Sequence, residues 1–189
     1  MSIRKTHGIT LIETLVVLAI AVIVLLQGNL GGYNRARETR LIDGVMTDLV
    51  SAISMARQSA IFEAQMVTIC RSSDGLHCQG KWHDGSIIFT DRNADREING
   101  TDRLLFRLEL SAALGTLSFN SFRNRQYLQM TPRGMTNYQN GNFTFCPASG
   151  DPTQNRQLIV SISGRTRMAR DRDGDGIVEN SQGNPVLCD

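Results

Sequence analysis

Between residues 9 and 26 the chain reads ITLIETLVVLAIAVIVLL, eighteen residues that are apolar except for Thr10, Glu13 and Thr14. A run of that length is at the lower end of what crosses the ~30 Å hydrocarbon core of a bilayer as a helix. A short basic stretch with Arg4 and Lys5 comes first, so the segment is expected to insert with its start in the cytoplasm. A secretory signal peptide would close on a small-residue cleavage site and would carry no acid inside its apolar run. Here Gln27, Gly28 and Asn29 follow Leu26, and Glu13 stands within the run. A carboxylate at that depth costs at least ~2.5 kcal/mol, which marks it as functional and in need of a positive partner.

A free α-amine on a neighbouring copy would be such a partner, provided the chain were cut just before the apolar run. Gly8 stands at that point, and a cut there makes Ile9 the first residue and Glu13 the fifth. Gly8 followed by Ile9-Thr10-Leu11-Ile12-Glu13 resembles the prepilin motif of type IV pilins and type II secretion pseudopilins, with Ile9 where that family more often has Phe. The resemblance implies a prepilin peptidase that cuts after Gly8 and methylates Ile9, and a role for Glu13 in pairing with the next subunit's amine during assembly.

The domain organisation read from this is a leader at 1–8, a transmembrane and filament-core helix at 9–30, an amphipathic continuation at 31–64 and a β-rich domain at 65–189. Gly28, Gly31 and Gly32 are expected to soften the helix where many pilins bend at a proline. Beyond them Ile42, Met46, Leu49, Ile53, Ala56 and Ala60 recur at three- and four-residue steps, an apolar stripe expected to face a core. Short strands are expected at 66–71, 86–90, 103–108, 116–119, 127–130, 142–146, 157–163 and 165–169, with Asn140-Gly141 as a hairpin turn. One long helix followed by antiparallel strands is an α+β architecture, here pilin-like.

The order of landmarks sharpens the resemblance. Cys78, Trp82, Gly85 and the run Ile88 to Asn93 are similar to the C…W…G…F-x-D-x-N stretch of the FimT/FimU group of minor pilins and the related GspH pseudopilins. Pro132-Arg133-Gly134, the segment 140–146 and Ser163-Gly164-Arg165-Thr166-Arg167 follow in the group's order. The resemblance implies a low-abundance subunit of the inner membrane and the pilus surface, with its C-terminal domain in the periplasm, partnered by other pilins.

Removing Arg4 and Lys5 with the leader leaves 18 basic against 18 acidic residues, so any polyanion contact must come from local clustering. The densest cluster is GRTRMARDR at 164–172. In a strand Arg165 and Arg167 project to one face about 6–7 Å apart, a spacing that suits successive phosphates of an extended backbone. Gly164, Arg165 and Arg167 match the G-R-x-R motif that FimT-like pilins use on double-stranded DNA in natural transformation, and Arg170 is placed as a possible extension. The opposing reading is a solvated strand whose arginines pair with Asp171, Asp173 and Asp175 or touch neighbouring pilins. Three assignments therefore stand: a minor pilin with DNA capture as an added role, a type II secretion pseudopilin that need not touch DNA, and a free-standing membrane-anchored DNA receptor.

Four cysteines in an exported domain allow three disulfide pairings. Cys70–Cys78, closing a short loop, and Cys146–Cys188, tying the tail to the body, are the expected ones. A zinc site does not fit the spacing, and His77 and His83 read as polar loop residues. Asp171, Asp173, Asp175 and Gly176 copy the first half of an EF-hand loop, but Gln182 holds the twelfth place. Residues 91–102 are similar, with Asp91, Asn93, Asp95, Glu97 and Asp102 but Arg96 where glycine belongs. Both stretches read as charged turns, so no metal or cofactor is expected. No nucleophile–base set, phosphate-cradling loop or metalloprotease motif supports an enzyme.

Overall fold

The computed structural model describes residues 9–188, except for the side chains of 27–31; the leader, Gly8 included, lies outside them. Helix α1 runs from Leu11–Phe62 without interruption. Its start is set by Thr10, whose hydroxyl and carbonyl oxygens accept the Glu13 backbone N–H at 3.4 and 3.1 Å. Its end is set by Ala64, which turns the chain at φ 50°. The softening expected at the glycines does not break the helix: α1 continues through Gly28, Gly31 and Gly32. A glycine inside a helix costs only about 1 kcal/mol relative to alanine, which the flanking turns can absorb.

The chain divides into two compact units, Met1–Thr39 and Arg40–Asp189. In the first, the apolar side chains from Ile9 to Leu26 are all exposed, Leu11 at 82% and Leu26 at 63%. Among the described residues no helix is long and apolar enough to cross a membrane. The apolar part of α1 whose side chains are described, 11–26, holds sixteen residues. At about 1.5 Å per residue that is about 24 Å, short of the ~30 Å core, so the crossing expected of 9–26 is not met by these residues on their own.

The second unit holds two four-stranded sheets. β1 (Val67–Arg71), β2 (Ser86–Thr90), β3 (Leu104–Leu108) and β5 (Tyr127–Met130) form one, in the order β3-β2-β1-β5. β4 (Gly115–Ser121), β6 (Gly141–Pro147), β7 (Arg156–Val160) and β8 (Thr166–Met168) form the other, in the order β4-β6-β7-β8. Every pairing is antiparallel. Strand positions match the expectation to within a few residues, but Asn140-Gly141 is no hairpin. It delivers the chain from β5 of one sheet to β6 of the other, where Gly141 pairs with Ser121. A side chain at Gly141 would strike the Asn120 carbonyl, so glycine is needed there for close approach and not for a turn.

One core joins the helix to both sheets. Ile42, Met46, Leu49, Ile53, Ala56 and Ala60 of α1 are all buried, with Ala52 among them. They share a cluster with Ile69, Ile88 and Leu128 of the first sheet and with Leu117, Phe143 and Leu158 of the second. β4 alternates buried and exposed residues, as expected where one sheet face meets a core and the other meets water. β2 is buried throughout. The reason is a second small core on the outer face, where Cys70, Ile87 and Phe89 are covered by Cys78, Ile98, Leu104 and Tyr127.

Trp82 closes the main core. Its ring meets Phe143 edge-on at 5.0 Å and Phe119 at 5.5 Å, and those two phenyl rings stack at 4.1 Å. Two disulfides fasten the periphery, Cys70–Cys78 and Cys146–Cys188. Phe143 is fully buried at the centre of the aromatic trio. Its replacement by alanine is expected to cost about 3–5 kcal/mol in chemical denaturation of the full-length chain in detergent. A loss below about 1 kcal/mol would show that the trio does not organise the core.

Candidate functional site

Two places gather the residues that sequence reasoning singles out. The first is the start of α1. Ile9 is exposed at 74%, two residues before the helix begins. Glu13 lies in the first helical turn and is exposed. The unsatisfied N–H groups of that turn give the helix end a partial positive charge, which favours a carboxylate there. Gly8 lies outside the described residues.

The second place is the free edge of the second sheet. β8 is its outermost strand, and Arg167 stands opposite Ile159 of β7. Arg165 and Arg167 are both exposed, while Met168 turns inward against the main core. Alternation along the strand therefore puts the two guanidinium groups on one outward row. The row ends at Ala169, which is buried, and Arg170 leaves the strand to bridge Glu179 through the backbone. Arg170 is exposed but does not continue the line of Arg165 and Arg167.

The pair is positioned from beneath by a junction that sequence reasoning does not connect. The Arg57 side chain of α1 donates its Nε–H to the Gly134 carbonyl at 2.9 Å. That same carbonyl leaves no room for a side chain at Gly164, and Gly164 holds φ 74°, a region that disfavours any other residue. Gly134 sits at φ 71°, and a side chain there would meet Ile61 at 2.7 Å. The turn 132–134 and the turn before Arg165 are thus pressed together on α1. Arg133, exposed beside Gly134, brings another cation to this corner. The two glycines are visible as landmarks in the sequence, but nothing in their spacing points to Arg57.

The acids after the arginine row do not neutralise it. Asp171 accepts the Gly174 and Gly176 N–H groups at 2.7 and 2.8 Å, and Asp175 accepts that of Ile177 at 2.7 Å. Glu179, buried, accepts the Arg172 N–H at 2.8 Å. Among the described residues the ion pairs are His77–Asp74, Arg103–Glu63 and Arg156–Asp43, and none includes Arg165, Arg167, Arg170 or Arg172. Arg165 instead donates from Nε to Ser163 at 3.2 Å. The row is cationic, outward and bound to no acid among the described residues.

His77 is tied to Asp74, its Nδ1 2.7 Å from the carboxylate. That bond, with the backbone N–H groups of His77 and Leu76, holds the Asp74 carboxyl well below the usual carboxylate range.

No curated protein matches this sequence. Two crystal structures of the type IV minor pilin FimU of Pseudomonas aeruginosa share the fold. One has 20% identity and a TM-score of 0.55, covering 78% of this chain and 94% of that one. The other has 17% identity and a TM-score of 0.51, covering 68% and 92%. The minor pseudopilin EpsH of the Vibrio cholerae type 2 secretion system is similar at 11% identity and a TM-score of 0.46, covering 65% and 90%. A prokaryotic N-terminal methylation motif matches residues 3–26. The model of the type II transport protein GspH matches residues 46–164, which is more than half of the sequence, and by that match the chain belongs to the GspH family.

Proposed function

We propose that this chain is a minor type IV pilin that helps to initiate or decorate a pilus. The observation that carries the reading is the row of bare apolar side chains on α1 from Leu11 to Leu26, headed by Glu13. A contiguous apolar surface of that size needs a cover, and membrane lipid followed by neighbouring subunits would supply it in turn. The prepilin peptidase would cut after Gly8 and methylate Ile9. The N-terminal part of α1 would hold the chain in the inner membrane, with residues beyond Leu26 completing the crossing and the β domain in the periplasm. Assembly would then move the helix into the filament core, where Glu13 offsets the next subunit's amine.

Double-stranded DNA is the second partner in this reading. Support comes from the outward row of Arg165 and Arg167, held by Gly164 and left unpaired by the nearby acids, with Arg133 at the same corner. Such contacts grip phosphate and sugar without reading bases. The family description favours an alternative, a GspH-like minor pseudopilin of type II secretion that needs no DNA. Deleting the gene and scoring piliation, transformation and protein secretion in parallel separates the two. Loss of secretion alone would establish the alternative.

Replacing Glu13 with valine is expected to leave the protein in the membrane fraction but lower its amount in sheared filaments at least about tenfold, since an uncompensated amine would remain buried. Normal amounts in filaments would remove Glu13 from assembly. For DNA, the Arg165→Gln/Arg167→Gln pair is expected to weaken duplex binding at least about tenfold in anisotropy titrations. The slope of log affinity against log salt should become shallower by about 2, at ~0.9 for each phosphate that the arginines no longer neutralise. Unchanged affinity and slope would exclude the arginine row as the DNA-binding surface.

A further inference from the structure

The loop between β2 and β3 contains a buried carboxylate with one oxygen left without a partner among the described residues. Asp91 follows the last residue of β2 and is 0% exposed. Its Oδ2 is heavily used, accepting from the Thr68 hydroxyl, from the Arg96 N–H at 3.2 Å and from Gln129 Nε2 at 3.2 Å. Its Oδ1 is buried and has no hydrogen-bond partner among the described residues. Asp91, Asp95 and Asp102 each place a carboxylate oxygen within 4.8 Å of the others. No ion pair among the described residues reaches any of the three. Of the three arginines of the loop, Arg103 pairs with Glu63 at 2.7 Å, Arg96 lies over the Tyr127 ring at 5.0 Å and donates from Nε to the Asp95 carbonyl at 3.3 Å, and Arg92 is in none of these ion pairs.

Burying a carboxylate oxygen without a hydrogen bond or counter-charge is costly, and drawing two further carboxylates up to it adds repulsion. A cation among them removes both costs. We propose that residues 91–102 form a calcium site, with Asp91, Asp95 and Asp102 as its carboxylate ligands. Calcium takes oxygen ligands at 2.3–2.6 Å, so ligands of one ion lie no more than about 5 Å apart, and the three carboxylates fall within that limit.

The loop supplies oxygen donors in the order of an EF-hand. Asp91, Asn93 and Asp95 hold places one, three and five, the Glu97 backbone is at seven, Asn99 is at nine and Asp102 is at twelve. The departure in the sequence is Arg96 at the sixth place, where glycine normally makes the turn. Arg96 adopts φ 68° itself, so the turn is made without glycine. Asn99 Nδ2 and the Glu97 N–H donate to the Asp95 carboxylate at 2.7 and 2.9 Å and hold it in place. The second acidic cluster, Asp171, Asp173, Asp175 and Glu179, is comparable in span but mostly exposed, and it contains no buried oxygen lacking a partner. It carries no such assignment.

The ion would fasten the loop that bears Ile98, one of the side chains covering the small outer core of Cys70, Ile87 and Phe89. Through Thr68 and Gln129 the Asp91 carboxylate also ties β1 and β5 to the same point. Calcium would therefore stabilise the first sheet as a unit.

The test uses the full-length chain in detergent, stripped with EDTA and titrated with calcium or magnesium by calorimetry and thermal melting. One calcium site per chain and a Tm rise of about 5 °C or more at saturation are expected, with a smaller response to magnesium. Asp95→Asn and Asp102→Asn should each abolish the rise, whereas Asp173→Asn should retain it. Asp91→Asn in EDTA should melt no lower than the parent, because it relieves the crowding of three carboxylates around one buried, unpartnered oxygen. No binding heat and no Tm rise with millimolar calcium would overturn the proposal. So would an equal response to magnesium, or a rise abolished by Asp173→Asn and kept in Asp95→Asn and Asp102→Asn.

Discussion

The stripe of α1 from Ile42 to Ala60 is the surface on which the C-terminal unit is assembled. Two sheets of four strands would each have an apolar inner face and no shared reason to meet. Packing both against one helix face gives them a common core, and the chain crosses between sheets at Gly141, where only a glycine lets β6 approach β4. Trp82, from the segment between β1 and β2 of the first sheet, then inserts its ring against Phe119 and Phe143 of the second. The same helix that carries a bare apolar surface in its first half thus carries the fully buried surface in its second.

That dependence reaches the arginine row. Arg57 lies on α1 and fixes the Gly134 carbonyl, against which the Gly164 turn rests, so the direction of Arg165 is set from the helix through two turns. An exposed cationic pair on an edge strand has little packing of its own to orient it. The glycines supply the orientation by allowing backbone to press on backbone, which gives Gly164 a structural reason to stand before Arg165.

Much of this is legible in the sequence because it rests on local periodicity. The helical stripe, the strands and the paired outward arginines all follow from spacing, and the FimU-like fold agrees with the motif order. What escapes the sequence depends on contacts between distant residues. Asn140-Gly141 has the composition of a hairpin, yet its role is decided by Asn120 in another strand. The glycines near residue 30 suggest a weak point, but an isolated glycine lowers helix stability without ending a helix. Residues 91–102 look like an incomplete metal loop because Arg96 stands where glycine is usual. The isolation of Asp91 Oδ1 is visible only once Thr68 and Gln129 are seen to occupy the other oxygen.

The central claim is that this member of the GspH family matures at Gly8 and enters a filament through the helix that follows. The most direct measurement is mass spectrometry of the N-terminal peptide of the protein recovered from sheared surface filaments. The account predicts a chain that begins at Ile9 with a methylated amine. A chain recovered only from membranes with residues 1–8 still attached would contradict it.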